Sequence, residues 1–181
     1  MNSTNPYTFT DAAEIFFCTD VIVGWQYVFT SIELFSAIID SLKYCQHHKG
    51  LRVHGYVVMP NHVHSIVSAA NGDLSGVVRD HKRFTSTKIS ELLQGSGNSR
   101  LLRYFSRVAK TAGRGNTFKI WQSGSRPEPV LSHAFFLEKL NYIHENPVRK
   151  GYVSRPEHWT YSSARNYYLN DHSVIHVDVL E

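Results

Sequence analysis

Short apolar stretches rich in β-branched and aromatic residues alternate along this chain with segments whose apolar positions return at helical spacing. Ile15, Phe16, Phe17, Val21, Ile22 and Val23 fill 14–23, a first strand that Gly24 ends. From Ser31, a residue type favoured at N-caps, the positions Ile32, Leu34, Phe35, Ile38, Ile39, Leu42 and Cys45 recur as in a helix up to Gly50, which suits its C-cap. Residues 52–59 and 62–69 read as the two arms of a hairpin turned by Pro60-Asn61. Asn71-Gly72-Asp73 then opens a helix over 74–93, with Leu74, Val77, Val78, Phe84, Ile89, Leu92 and Leu93 on its apolar side. A shorter helix over 99–109 and a fourth strand over 117–122 follow. Ser132 caps a helix to Asn146, which Pro147 stops. A small helix over 162–169 and an alternating tail over 174–180, suited to an edge strand, complete the chain.

The order strand, helix, strand, strand, helix, strand predicts an α+β fold. It is a ferredoxin-like antiparallel sheet (βαββαβ) with helices on one face, followed by additional C-terminal helices. A chain of 181 residues, 42% hydrophobic and 13% aromatic, can bury one sizeable core. One domain is expected over 1–181, with its core at 14–168 and a tail at 169–181. The tail could pair across a twofold axis to make a homodimer, or fold back on its own chain. Cys18 and Cys45 lie in apolar segments without the spacing of a metal or redox site, which points to a reducing, cytoplasmic setting. The first ten residues lack a signal-peptide pattern, and no apolar run approaches the ~18 residues of a membrane span.

The placement of charge changes this picture more than the formal net charge of +4 does. Arg79, Lys82, Arg83, Lys88, Arg100, Arg103, Arg107, Lys110, Arg114, Lys119 and Arg126 crowd one region, opposed only by Asp80 and Glu91. Phe84, Tyr104, Phe105, Phe118 and Trp121 interleave them. Cations among stacking rings are the footprint of nucleic-acid binding, and of exposed bases in particular. The plainer reading is a set of solvated helix faces with those rings in the core.

Candidate chemistry begins at 57–67, Val-Val-Met-Pro-Asn-His-Val-His-Ser-Ile-Val. Alternate residues of a strand share a face, so His62 and His64 lie side by side. Two imidazoles so placed can share a divalent metal ion, and they equally suit two hydrogen-bonded buried histidines. In the 132–146 helix, Phe136, Leu140 and Ile143 form the core stripe, while Tyr142 and Asn146, four apart, share another stripe with Lys139 beside them. Asn146 suits a helix cap as well as a ligand. Two histidines and an amide oxygen can hold Mg²⁺ or Mn²⁺ with positions open to a phosphate, which a tyrosine hydroxyl can attack. A histidine-triad nucleotide hydrolase would need a third alternating histidine, where Ile66 stands.

These residues carry a resemblance. Tyr56-Val-Val-Met-Pro-Asn-His-Val-His-Ser-Ile-Val67 resembles the His-hydrophobic-His motif of single-tyrosine transposases acting on single-stranded DNA, the HUH superfamily. Tyr142-Ile-His-Glu-Asn-Pro-Val-Arg-Lys-Gly-Tyr-Val153 resembles the tyrosine helix of their REP-associated branch. Trp121-Gln122 and Tyr161-Ser-Ser-Ala-Arg-Asn166 are similar to smaller landmarks. Ser125-Arg126-Pro127-Glu128 departs from the more usual Asn-His-Pro loop. The resemblance implies a metal-dependent enzyme that recognises DNA hairpins and cuts and rejoins single-stranded DNA through a 5′-phosphotyrosine. It implies Tyr142 as nucleophile and His62, His64 and Asn146 as ligands of Mg²⁺ or Mn²⁺. Arg79, Lys82, Arg83, Lys88, Arg103, Arg107, Lys119, Arg126 and Lys139 are the expected DNA contacts. A module of the same fold that binds hairpin DNA or RNA without cutting it is the competing expectation.

Overall fold

The computed structural model describes residues 15–180 except 114, 116, 125 and 126; Glu14, Arg114 and the expected contact Arg126 lie outside the described residues. Four strands, β1 (Ile15–Val21), β2 (Leu51–Met59), β3 (His62–Ala69) and β4 (Glu128–Pro129), form one sheet in the order β2-β3-β1-β4. All three pairings are antiparallel. The helices are α1 (Ile32–Lys49), α2 (Leu74–Gly95), α3 (Ser99–Ala112), α4 (His133–Arg149) and α5 (Ala164–Leu169).

Local chemistry sets most of these boundaries. Gly50 closes α1 in the left-handed conformation at φ 67°. The side chains of Asp73, Asn98 and Ser132 accept hydrogen bonds from the backbone N–H groups of Gly76, Leu101 and Phe135, capping α2, α3 and α4.

The alternation of each strand divides the core between the two faces of the sheet. Phe16, Cys18, Val58, Val63 and Val67 pack under α1 and α2. Phe17, Val57, Met59 and Ile66 meet Phe136, Leu140 and Ile143 of α4. Helices therefore cover both faces, and α4 lies opposite α1 and α2. A β-bulge between Val53 and Gly55 interrupts β2. A Cβ at Gly55 would lie 2.8 Å from Leu140 Cδ1 and 3.1 Å from Ile143 Cδ1, so the missing side chain is what lets α4 sit down on β2. Ser163 Oγ fastens the same pair: it bonds the Tyr56 N–H and carbonyl and lies 2.7 Å from His144 Nε2 of α4.

Three expectations need correction. The expected strand at 117–122 is reduced to a single bridge between Trp121 and Ile22. Its first half turns elsewhere, because the Lys119 N–H bonds the Phe105 carbonyl on α3, and Trp121 buries its ring and donates Nε1–H to Thr85 Oγ1. The fourth strand is instead the short β4 beside Phe16 and Phe17. Pro147 does not stop α4, which runs to Arg149. The donor that proline lacks is tolerated in the last turn, where the Lys150 N–H bonds the Asn146 carbonyl and Arg149 Nη2 bonds the Tyr142 carbonyl. The tail at 174–180 forms no strand. It folds back beside β2, burying Ile175 and Val177 and bonding the Asp178 N–H to the Val53 carbonyl. Cys18 and Cys45 are buried and free. No helix among the described residues is long and apolar enough to cross a membrane.

Candidate active site

β3 and α4 bring the two sequence motifs together. His62, His64, Tyr142 and Asn146 line one cleft of about 850 Å³, with Phe17, Thr19, Trp25, Lys139, Arg149 and Lys150 around them. The His62 and His64 rings are 4.7 Å apart between centroids, and the Tyr142 ring is 5.3 Å from His64. Phe17 stacks on His64 at 5.4 Å and meets Tyr142 edge-on at 6.3 Å.

Both imidazoles are held from behind. His62 Nδ1–H donates to Asn61 Oδ1 at 2.7 Å. His64 Nδ1 and Thr19 Oγ1 share a hydrogen bond of 2.8 Å. With its proton on Nδ1, His62 keeps the Nε2 lone pair; the Thr19 hydroxyl can accept from His64 Nδ1–H and so suits the same tautomer, and neither Nε2 has a hydrogen-bond partner among the described residues. Burial pushes His62 down to about 4, with Lys150 adding to the effect. Burial pushes His64 down to about 3, helped by His62, Arg149 and Lys139. The two rings are therefore neutral at neutral pH, the form in which imidazole accepts a metal.

Asn146 is 4% exposed and lies inside α4, since the helix continues past it. This removes the cap reading. Its side-chain amide has no hydrogen-bond partner among the described residues and lines the cleft with the two histidines. Two neutral imidazole nitrogens and a carboxamide oxygen are a donor set that a divalent ion accepts while keeping positions open. Among the described residues there is no cluster of three or more His, Cys, Asp or Glu side chains placed for a metal. A site here thus depends on the amide. Tyr142 is 41% exposed, and the Arg149 guanidinium lies 4.6 Å over its ring. Lys139 pairs with Glu128 of β4 at 2.9 Å and lies 4.9 Å from the Phe17 ring.

Six of the other expected contacts line two further concave surfaces. Arg79, Lys82, Arg83 and Lys119 line a cleft of about 770 Å³ between α2 and 117–123. Lys82 reaches the buried Asp20 carboxylate at 2.7 Å, so part of its charge serves the fold. Arg103 and Arg107 line a third cleft on α3 with Arg100 and Lys110. Lys88 faces Glu91 on the outer side of α2. Of the interleaved rings, Phe105 and Trp121 belong to the core, and Phe84 is exposed.

Sequence reasoning did not single out Thr19, Trp25, Asn61, Arg149 or Lys150. The signal for Arg149 and Lys150 was hidden by taking Pro147 as a helix stop. Thr19 becomes visible only through strand register, which sets it opposite His64.

No family model matches this chain, and no curated protein matches it. Among solved structures, the fold is similar to that of a REP-associated tyrosine transposase bound to a REP hairpin, with a TM-score of 0.59 and 18% identity over 100% of this chain and 94% of that one. At that identity the two proteins share a fold.

Proposed function

We propose that this chain is a metal-dependent, single-stranded DNA endonuclease and strand transferase of the HUH tyrosine transposase type. It recognises DNA hairpins and cleaves and rejoins the adjoining strand through a 5′-phosphotyrosine. The observation that carries this reading is the convergence of Tyr142, Asn146, His62 and His64 on one cleft. The antiparallel four-strand sheet in the order β2-β3-β1-β4, with α1 and α2 on one face, supports the reading of a ferredoxin-like core and with it the same assignment.

His62 and His64, with Asn146, would hold Mg²⁺ or Mn²⁺. When bound, such an ion supplies Lewis-acid polarisation of the phosphate. The residues of the chain do the rest. Asn61 and Thr19 fix the two imidazoles so that both present Nε2. Arg149 and Lys150, with Lys139 paired to Glu128, outweigh the Glu138 carboxylate on the same cleft, and that balance favours a phosphodiester. Tyr142 Oη attacks phosphorus and loses its proton; the Tyr–O–P bond forms as the P–O3′ bond breaks, and the leaving oxygen takes up a proton as a free 3′ hydroxyl. One phosphoester replaces another, so attack by a 3′ hydroxyl on the phosphotyrosine rejoins DNA without an external energy source.

The test is a labelled hairpin oligonucleotide with single-stranded flanks, incubated with the protein and Mg²⁺ or Mn²⁺. Cleavage is expected, and it is lost on chelation or in His64→Ala while binding persists. Binding without cleavage by the wild-type protein would favour the non-cutting module, and no binding would remove the nucleic-acid reading.

A further inference from the structure

The turn after β1 joins two concave surfaces. Trp25 lines the histidine cleft, and the next residue, Gln26, lines a cleft of about 810 Å³ on α3 with Arg103, Tyr104 and Arg107. The turn is built tightly onto its neighbours. Gly24 and Trp25 are successive left-handed residues, at φ 64° and 54°. A Cβ at Gly24 would lie 2.0 Å from Tyr104 Oη, so the glycine is what seats the turn against α3. Asn61 Nδ2 donates to the Trp25 carbonyl at 3.4 Å, and the same amide accepts from His62 through Oδ1. Asn61 thus ties the turn to a candidate metal ligand.

A bulky residue at positive φ is an outlier, and such outliers cluster at functional sites. Here the outlier holds an indole out of the core. Trp25 is 55% exposed, with its ring edge-on to His62 at 5.7 Å. An indole face beside a cleft that attracts phosphate is a stacking surface for an unpaired base.

We infer that Trp25 is a base-stacking subsite. An unpaired nucleotide next to the phosphate that Tyr142 attacks rests its base on this indole. The strand continues past Gln26 into the α3 cleft, where Arg103 and Arg107 meet its phosphates. The inference rests on the DNA-cleaving reading above and adds where the single strand runs. Stacking tolerates every base, so sequence selection lies elsewhere.

The experiment uses the full chain and the hairpin oligonucleotide with single-stranded flanks, together with a set in which each flank nucleotide in turn is abasic. Affinity is read by fluorescence anisotropy at fixed salt. For the wild-type protein, one abasic position beside the cleavage point weakens binding about tenfold. Trp25→Ala weakens binding of the intact oligonucleotide by about the same factor and is indifferent to that abasic position. Trp25→Leu, which keeps apolar bulk without a π face, behaves like Trp25→Ala, whereas Trp25→Phe retains most of the affinity. Arg103→Ala lowers the salt slope by about one. Equal affinity in wild-type and Trp25→Leu proteins, or undiminished abasic sensitivity in the variant, overturns the subsite and leaves cleavage by Tyr142 standing. A wild-type protein that binds no hairpin oligonucleotide overturns both readings.

Discussion

Thr19 Oγ1 lies 2.8 Å from His64 Nδ1, because the antiparallel register of β1 and β3 sets Thr19 directly opposite His64. The hydroxyl lies at the wall of the cleft and fixes the imidazole through Nδ1. Thr19→Val keeps the shape and removes the hydrogen bond. Binding of Mn²⁺, followed by calorimetry or electron paramagnetic resonance, is expected to weaken by about tenfold with the fold unchanged. Unaltered Mn²⁺ affinity would show that Thr19 plays no part in orienting the ring.

Gly55 lies where Leu140 and Ile143 of α4 press on β2, with room for no Cβ unless those side chains move. Gly55→Val is expected to cost about 1–3 kcal/mol in urea unfolding, as overpacked cores do. It should also slow DNA cleavage, since Tyr142 and Asn146 ride on α4. Stability lost with cleavage intact would mean that the seating of α4 does not set the position of Tyr142.

Tyr56 is fully buried, and its hydroxyl has no hydrogen-bond partner among the described residues. Burial pushes its ionisation up, so the group stays neutral. Tyr56→Phe removes an unsatisfied polar atom and keeps the ring. Stability in urea should be unchanged or higher by about 1 kcal/mol. A clear loss would reveal a partner for the hydroxyl.

The acid limit of the metal-free protein follows from buried histidines. His81 is pushed down to about 4 and His144 to about 3, in both cases chiefly by burial, and His62 and His64 behave alike. Unfolding restores the ordinary value of 6.5, so between these limits the unfolded chain binds more protons than the folded one. The contribution of these rings is therefore full above about pH 6.5, declines as pH falls below it, and levels near pH 3 to 4, where the depressed carboxylates of Asp80 and Asp171 take over the loss. Urea midpoints in a chelating buffer at steps from pH 7.5 to 4 measure this. His81→Gln removes one of the titrating rings and leaves an amide that can bond Ser41, the present partner of His81, so the decline should flatten. A flat profile in the parent protein would contradict the burial of these rings in neutral form.

Period carried much of the fold into view from sequence. The two-residue repeat of β3 set His62 and His64 on one face, and the stripe of Phe136, Leu140 and Ile143 forecast how α4 would pack. Side-chain acceptors at Asp73 and Ser132 marked α2 and α4, and the left-handed Gly50 marked the end of α1, whereas the Ser31 side chain makes no cap bond. What stayed hidden depends on tertiary context. A β-rich run at 117–122 loses its ladder when Lys119 bonds to α3 and Trp121 turns into the core. A proline near a helix end is tolerated when other donors serve the last turn, which delivers Arg149 and Lys150 to the cleft. The pairing of Lys82 with Asp20 was also hidden, because nothing local announces that Asp20 is buried on the face of β1 that meets α2.

The most direct test of the account is the covalent link itself. The protein is incubated with Mg²⁺ or Mn²⁺ and a labelled hairpin oligonucleotide, the product is denatured and digested, and the labelled peptide is sequenced by mass spectrometry. The account predicts a nucleotide attached through phosphate to Tyr142, absent in Tyr142→Phe although that variant still binds the hairpin. An adduct that survives in Tyr142→Phe and vanishes in Tyr152→Phe or Tyr161→Phe would contradict it.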